Sequence, residues 1–435
     1  MLSAVNGKAV TKRDVLKAAK EGGVAYVRLN FVDILGIEKS VSVPVAELDG
    51  ALEGKVSFDG GSIDGFVRDL EVDMVLQPDL STFAILPWTK GTATEARMIC
   101  NIANADGSDF EGCPRTTLRR VLDDASDVLT RVEAAMEVEF YLLARSPNGP
   151  VIQSSDTGSY FDWSPSDRGD EARGAIVAAL GEMGLGISSA HHEHGPDQHE
   201  IDLAEAPALR CADNFVTLRG TAKHVASALG LEATFMPKPS EDVAGSGLHV
   251  YFGLEGLDED QRLNAIAGLL AHAPATTAVC NPTVNSYKRL VAAWDAPIYT
   301  VWSEASANAL VRIPNAPGME TKIEVRSPDP SCNVYLALAV LVEAIADGLR
   351  RRQLPGDPLT GSTYELTDRI RSERGIRTLP KSLRQAIDEL EKDTVLRGAL
   401  GDHIYHAFRD AKLAEYERYR RAVHPWEREQ YLTRF

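Results

Sequence analysis

Apolar positions in the first hundred residues fall in short runs of period two rather than in helical stripes. Residues 24–30, 41–44 and 83–87 group β-branched and apolar side chains between Gly, Pro and Asp, and they read as strands joined by short connections. Only residues 12–21 carry a helical pattern there. A loop-rich stretch, NADGSDFEGCP over residues 104–114, reads as a boundary. Beyond it, strands alternate with amphipathic helices. Residues 171–183 place Ile176, Leu180 and Met183 on one face, and residues 211–229 do the same with Phe215, Leu218, Ala222, Val225 and Leu229, stopped by Gly230. Residues 263–279 and 332–349 read as two more helices. A Pro/Gly stretch at 353–362 precedes a charge-rich helical tail over 379–435.

Several strands break the pattern by pointing charge to one side. In MEVEFYLL (136–143), Glu137 and Glu139 are two apart and share a face, opposite Met136, Val138 and Phe140. His249 and Tyr251 share a face in the strand at 247–252. So do Glu324 and Arg326 in KIEVRS (322–327), and Glu200 and Asp202 in QHEIDL (198–203). One such strand is an ordinary solvated sheet face. Four of them, if their faces converge, bring like charges together in a cleft where repulsion is strong unless cations neutralise it. Carboxylates with a single imidazole suit Mg2+ or Mn2+ better than zinc.

Charge and cysteine content narrow the picture. The chain has 435 residues, 63 acidic against 46 basic, a net charge of −17. A surface this acidic lacks the footprint of a nucleic-acid binder and is repelled by anionic lipid, so neither nucleic acid nor membrane is an expected partner. The five cysteines are widely spaced with no Cys-x-x-Cys, which points to a reduced compartment. Residues 1–14 lack the apolar run of a signal peptide, and no uninterrupted apolar run approaches the roughly 20 residues of a spanning helix. A cytoplasmic location is expected.

Other segments are less specific. His191-His192-Glu193-His194 is not a zinc-hydrolase box, since contiguous residues cannot all reach one ion, and Glu193 and Glu200 are its stronger ligand candidates. Arg289, Arg312 and Arg326 suit bidentate oxyanion binding, with structural ion pairs the plainer alternative. Gly245-Ser246-Gly247 lacks the lysine of a phosphate-binding P-loop.

In order along the chain, FDGGSIDGF (58–66), ICNIANADG (99–107), MEVEF (136–140), HHEHGPDQHEID (191–202), TFMPKP (234–239), GSGLHV (245–250), NPTVNSYKRLV (281–291) and KIEVRSPDPSCNVYLALA (322–339) resemble the type I glutamine synthetase family. LPKSL and HPWEREQY in the tail fit as well. The likeness covers nearly the whole chain and extends to γ-glutamyl-amine ligases such as γ-glutamylmethylamide synthetases. No long extra segment marks the adenylylated subtype.

The resemblance implies an α+β fold: an N-terminal β-grasp domain, placed at 1–104, and a catalytic domain at 105–435. It implies a homododecamer of two hexameric rings with active sites between neighbours. The implied chemistry uses ATP and two or three Mg2+ or Mn2+ ions. Glutamate is phosphorylated on its γ-carboxylate, and ammonia or a small amine then displaces phosphate. Position by position, Glu139, Glu193 and Glu200 match the ligands of one metal, and Glu137, His249 and Glu324 those of another. Arg289 and Arg326 match glutamate-binding arginines, Gly245 lies in the substrate loop, and Arg312 matches an arginine near the nucleotide phosphates. Asp59, with Ser62 beside it, matches the residue from the adjacent subunit that takes the ammonium proton. Tyr160 matches an aromatic of the amine pocket, and Arg68 a position linked to product feedback.

The chain departs from the family in four places. The substrate-loop Asn is Ala244, the flexible-loop Glu is Asp295, the nucleotide-side His is Tyr251, and a phosphoryl-stabilising Arg is Ala307, with Lys322 or Arg312 nearby to compensate. A shorter Asp295 leaves room for an alkyl group, so a glutamate–amine ligase is expected. Ordinary glutamine synthesis is the near alternative, a catalytically impaired binding or regulatory paralogue is one of another class, and an ATP-independent zinc amidohydrolase is a third.

Overall fold

The computed structural model describes residues 9–66, 72–91, 93–146, 149–151, 156–165, 167, 169–292, 296–315, 317–319 and 321–435. Asp295 and Arg68 lie outside the described residues. The first six strands are β1 (Tyr26–Val32), β2 (Glu38–Pro44), β3 (Ser57–Asp59), β4 (Asp73–Pro78), β5 (Ala84–Ile85) and β6 (Glu95–Asn104). They form one sheet in the order β2-β1-β6-β4-β3, with β5 also on β6; only β1 and β6 run parallel. Helix α1 (Lys12–Glu21) opens on a capping box between Thr11 and Asp14 and buries Val15 and Ala19. A further one-turn helix, α2 (Leu48–Ala51), is too short to leave a periodic signal.

The second sheet carries nine strands: β7 (Val132–Ser146), β8 (Gly149–Val151), β9 (Ile187–His192), β10 (Gln198–Pro207), β11 (Leu231–Thr234), β12 (Leu248–Leu254), β13 (Trp302–Ser303), β14 (Val311–Arg312) and β15 (Ile323–Val325). Its order is β13-β14-β15-β12-β7-β10-β9, with β11 and β8 also on β7. One face is apolar: Met136, Val138 and Phe140 of β7 are buried with Ile201, Leu203, Leu248 and Val250. Helix α3 (Pro114–Asp124) and α4 (Asp170–Glu182) precede α5 (Ala208–Ala228), which packs on β7 and β10. Then come α6 (Glu259–Cys280), the single turn α7 (Ser286–Arg289), and α8 (Val334–Arg351). The tail holds α9 (Asp368–Glu373), α10 (Leu383–Lys392), α11 (Thr394–Leu400), α12 (Asp402–Arg421) and α13 (Pro425–Tyr431).

Helix α6 is long and apolar enough to cross a membrane, although its apolar residues do not form one uninterrupted run. It is a core helix here, with 83% of its most apolar window buried. Against α8 it comes so close that a Cβ on Gly268 would lie 2.0 Å from the Ala344 carbonyl, and one on Gly348 2.2 Å from that of Asn264. Only glycine permits that crossing.

His272 of α6 bridges two carboxylates, Nδ1 to Asp393 (2.5 Å) and Nε2 to Asp347 (3.0 Å). Burial pushes its pKa down, but the bonds to Asp393 and Asp347 outweigh burial and leave it raised above 6.5. The stability from a raised histidine is complete below the unfolded value and is lost as pH rises through the folded one. Asp393 is lowered despite burial by the same bond, so its share is lost only in acid, as pH falls below about 3.8 through its folded value. Thermal melts of wild type and His272→Gln should therefore differ most near about pH 5–6 and converge toward about pH 8.

Candidate active site

The polar face of the second sheet is organised by strand register. Residues directly opposite in antiparallel strands share a face. One row runs His191–Glu200–Glu139, a second runs His249–Glu137–Asp202–Ser189, and a third runs Arg312–Glu324–Tyr251. The alternation that buries Val138 and Ile201 thus turns Glu137, Glu139 and Glu200 outward together.

These rows floor a cavity of about 320 Å3. Glu137, Glu139, Tyr160, Glu193, Glu200, Gly245, His249, Arg289, Arg312 and Arg326 all border it. Glu324 lies beneath the surface, fully buried, pairing with Arg326 Nη1 through Oε1 (2.5 Å) and with Arg312 Nε through Oε2. Tyr251 donates its hydroxyl to Glu137 Oε1 (2.5 Å). A larger cavity of about 830 Å3, between Phe66 and α12, is bordered by none of the predicted site residues.

Of the predicted residues that are described, Asp59, Ser62 and Lys322 lie away from the cavity of this single chain, and Tyr251 touches Glu137 without bordering it. Asp59 and Ser62 bond one another at 2.7 Å in the N-terminal domain, where Asp59 also accepts from the Gly61 N–H at 2.8 Å. Lys322 pairs with Glu205 instead of facing the cavity. It stands in the turn closed by its N–H on the Met319 carbonyl (2.9 Å), just before β15 begins, so strand alternation does not reach it.

The donor set fits divalent cations. One oxygen each of Glu137 and Glu324 and a nitrogen of His249 lie within 4.8 Å of one another. His249 Nδ1 is 2.9 Å from Glu137 Oε2 and 3.8 Å from Glu324 Oε1, spacings that neighbouring ligands of one small cation adopt when each is about 2.1 Å from it. Burial opposes the charge on Glu137, but hydrogen bonds from His249 and Tyr251 hold its pKa down to about 2. Glu139 accepts from the Gly247 N–H (2.9 Å) and Gln198 Nε2 (3.2 Å). Burial, then the Glu139 charge, raises Glu193 above the usual carboxylate range, and burial with Glu139 and Glu137 raises Glu200 well above it. Carboxylates this crowded are held ionised by a cation or give up charge by taking protons.

Arg289 is buried, its Nη1 on the Ser327 carbonyl (2.9 Å) and its Nη2 on that of Arg326 (3.1 Å). A Cβ on Gly247 would sit 2.7 Å from Arg289 Nη2 and 2.9 Å from His249 Nε2, so the bare backbone lets cationic and metal-binding groups meet. Three small side chains, Ala244, Ala296 and Ala307, also line the cavity, with His194 and Gln198.

Sequence reasoning missed Gln198. Its Nε2 links Glu139 to the Gly245 carbonyl (3.1 Å), and its Oε1 accepts from the Gly195 N–H (2.9 Å) to hold the turn before β10. It lies two residues before Glu200, so the same period-two rule that picks Glu200 points to it. His191 also has a place, its Nε2 on Glu200 Oε1 at 3.1 Å.

The family profile described as "Glutamine synthetase, catalytic domain" matches residues 111–431, and "Glutamine synthetase, beta-Grasp domain" matches 23–105. The chain is 44% identical over 443 residues to a glutamine synthetase of Thermus thermophilus, covering 98% of this chain and 99% of the other. It is 42% identical over 440 residues to one of Staphylococcus aureus, with the same shares. Among solved structures it is similar to a GmaS–ADP complex, with TM-score 0.87 and 28% identity over 97% of this chain and 99% of that one. An apo GmaS structure gives 0.84 and 28% over 96% and 99%. With both domains matched, and relatives aligned end to end, the chain belongs to the glutamine synthetase family and is an ATP-dependent ligase with an α+β fold.

Proposed function

We propose that this ligase joins glutamate to a small amine through a γ-glutamyl phosphate, and that its nucleophile is larger than ammonia. The observation that carries the reading is the cavity itself, where metal-binding carboxylates, three arginines and three alanines meet. Arg289 and Arg326 bind and orient glutamate, with Gly245 at the substrate loop. Glu139, Glu193 and Glu200 hold one Mg2+ or Mn2+, and Glu137, His249 and Glu324 another. When bound, these ions spread the negative charge of the transferring phosphoryl group.

A γ-carboxylate oxygen of glutamate attacks the γ-phosphorus of ATP, and the bond to the ADP oxygen breaks. Arg312, beside Tyr251 and Glu324, supports the phosphate charge; Lys322 is not turned to the cavity, so the compensation for Ala307 falls to Arg312. The incoming ammonium gives a proton to Asp59 of an adjacent copy, with Ser62 supporting it, and the freed amine nitrogen attacks the carbonyl carbon of the γ-glutamyl phosphate as the bond from that carbon to the phosphate oxygen breaks. By resemblance Asp295 takes the role of the family's flexible-loop Glu toward the amine, and Tyr160 that of its amine-pocket aromatic. That division of labour requires a ring assembly, for which we propose the family's dodecamer. We further propose domains at 1–104 and 105–435 and a cytoplasmic location.

The names of the curated relatives favour a second reading, ordinary glutamine synthesis. Phosphate release measured with glutamate, ATP and Mg2+ across a panel of amines separates the two. The expected result is a higher kcat/KM for methylamine or another alkylamine than for ammonia. Ammonia as the fastest nucleophile would establish glutamine synthesis, and no release with any amine would identify an impaired paralogue.

A further inference from the structure

The segment carrying Tyr160 is fastened to the end of β9. Asp156 accepts from the N–H groups of Gly158 (2.8 Å) and Asp197 (2.5 Å) and pairs with His192 Nε2 (3.0 Å), while the Phe161 N–H donates to the His192 carbonyl (3.0 Å). Phe161 adopts a φ of 63°, an uncommon state for an aromatic residue that only a constrained segment maintains.

On this base the rings assemble. Tyr160 stacks with Phe161 (centroids 4.2 Å apart, planes 21° apart) and with His194 (4.8 Å, 21°), and His191 meets Tyr160 nearly at right angles (5.4 Å, 78°). His194 also reaches the carboxylates. Its Nδ1 is 2.7 Å from Glu193 Oε2, the oxygen that accepts the His194 backbone N–H at 2.8 Å. A carboxylate oxygen accepts, so Nδ1 carries the hydrogen. The imidazole is 54% exposed, so its position is set by these two contacts rather than by core packing.

We propose that His194 is a positioning residue that couples the metal-binding carboxylates to the amine pocket. Its edge fixes Glu193, leaving the other oxygen free for a cation, and its face fixes the ring of Tyr160. The half that concerns the amine rests on the ligase reading above; the half that concerns Glu193 does not.

Two substitutions in the full-length protein separate the contacts. His194→Phe keeps the ring and removes the donor; His194→Asn keeps a donor near Nδ1 and removes the ring. By calorimetry, Mn2+ affinity should fall about tenfold in His194→Phe, as for other residues that orient a metal ligand, and stay within about threefold of wild type in His194→Asn. With Mn2+, ATP and glutamate saturating, the amine KM should rise about fivefold in His194→Asn, the size of a lost aromatic contact, with kcat and glutamate KM within about twofold, and should hold in His194→Phe. Both variants losing both properties, neither losing either, or only one property moving would overturn the coupling. If wild type releases no phosphate with any amine, the ligase reading falls separately. The ring contact is then read from tyrosine nitration mapped by mass spectrometry: Tyr160 should react faster in His194→Asn but not in His194→Phe, and equal rates would overturn it.

Discussion

Glu324→Ala is expected to lower kcat/KM by about a thousandfold or more, the scale of losing a group that places a catalytic metal. Glu324 is fully buried, beside His249, and both of its oxygens are taken by guanidinium groups of Arg312 and Arg326. Alanine therefore removes a proposed metal ligand and leaves the guanidinium groups of Arg312 and Arg326 without their shared carboxylate. Breaking a buried ion pair from one side costs about 3–5 kcal/mol, so a lower melting temperature should accompany the lost activity. Glu324→Gln separates the effects. Its amide oxygen still accepts from a guanidinium, so the melting temperature should recover in part, whereas Mn2+ affinity by calorimetry and phosphate release should not. Near-wild-type turnover in either variant would remove Glu324 from the metal site.

Arg115→Ala should be the most destabilising single change outside the cavity. Arg115 joins elements distant in sequence: Nε and Nη2 bond the two oxygens of Asp213 (2.9 Å each), Nη2 also reaches Asp79 (2.6 Å), and Nη1 donates to Asn101 (2.8 Å). Tyr335 gives its hydroxyl to the same Asp213 oxygen at 2.8 Å. Asp79 and Asn101 come from the N-terminal sheet region and Asp213 and Tyr335 from α5 and α8, so one guanidinium pins the two halves together. Its removal leaves Asp213 buried and unpaired, at a cost of about 3–5 kcal/mol. The urea midpoint should fall accordingly, and adding Asp213→Asn should recover much of the loss by deleting the stranded charge. A double variant as unstable as the single one would show that packing, not charge, sets the effect.

The charged faces of the site strands were legible because alternation is a local property. Glu137 with Glu139, and His249 with Tyr251, needed only period two. Register was not legible: that Glu200 lies opposite Glu139, and Arg312 opposite Glu324, depends on pairing between distant segments. Nor was the pairing of Lys322 with Glu205 legible, since it joins segments far apart in sequence. Helix ends were set by capping that periodicity overlooked. Helix α6 starts at Glu259, not 263, because Asp258 and Gln261 form a capping box. Asp59 and Ser62 show a different limit. Their part in the chemistry rests on resemblance, and within one chain they satisfy each other.

The crossing of α6 and α8 at Gly268 and Gly348 has a dynamic consequence. With backbone pressed on backbone, neither helix has a side-chain cushion to slide on, and their tilt is locked. A side chain at either glycine would have to prise the two helices apart, so the core tolerates no larger residue at that crossing.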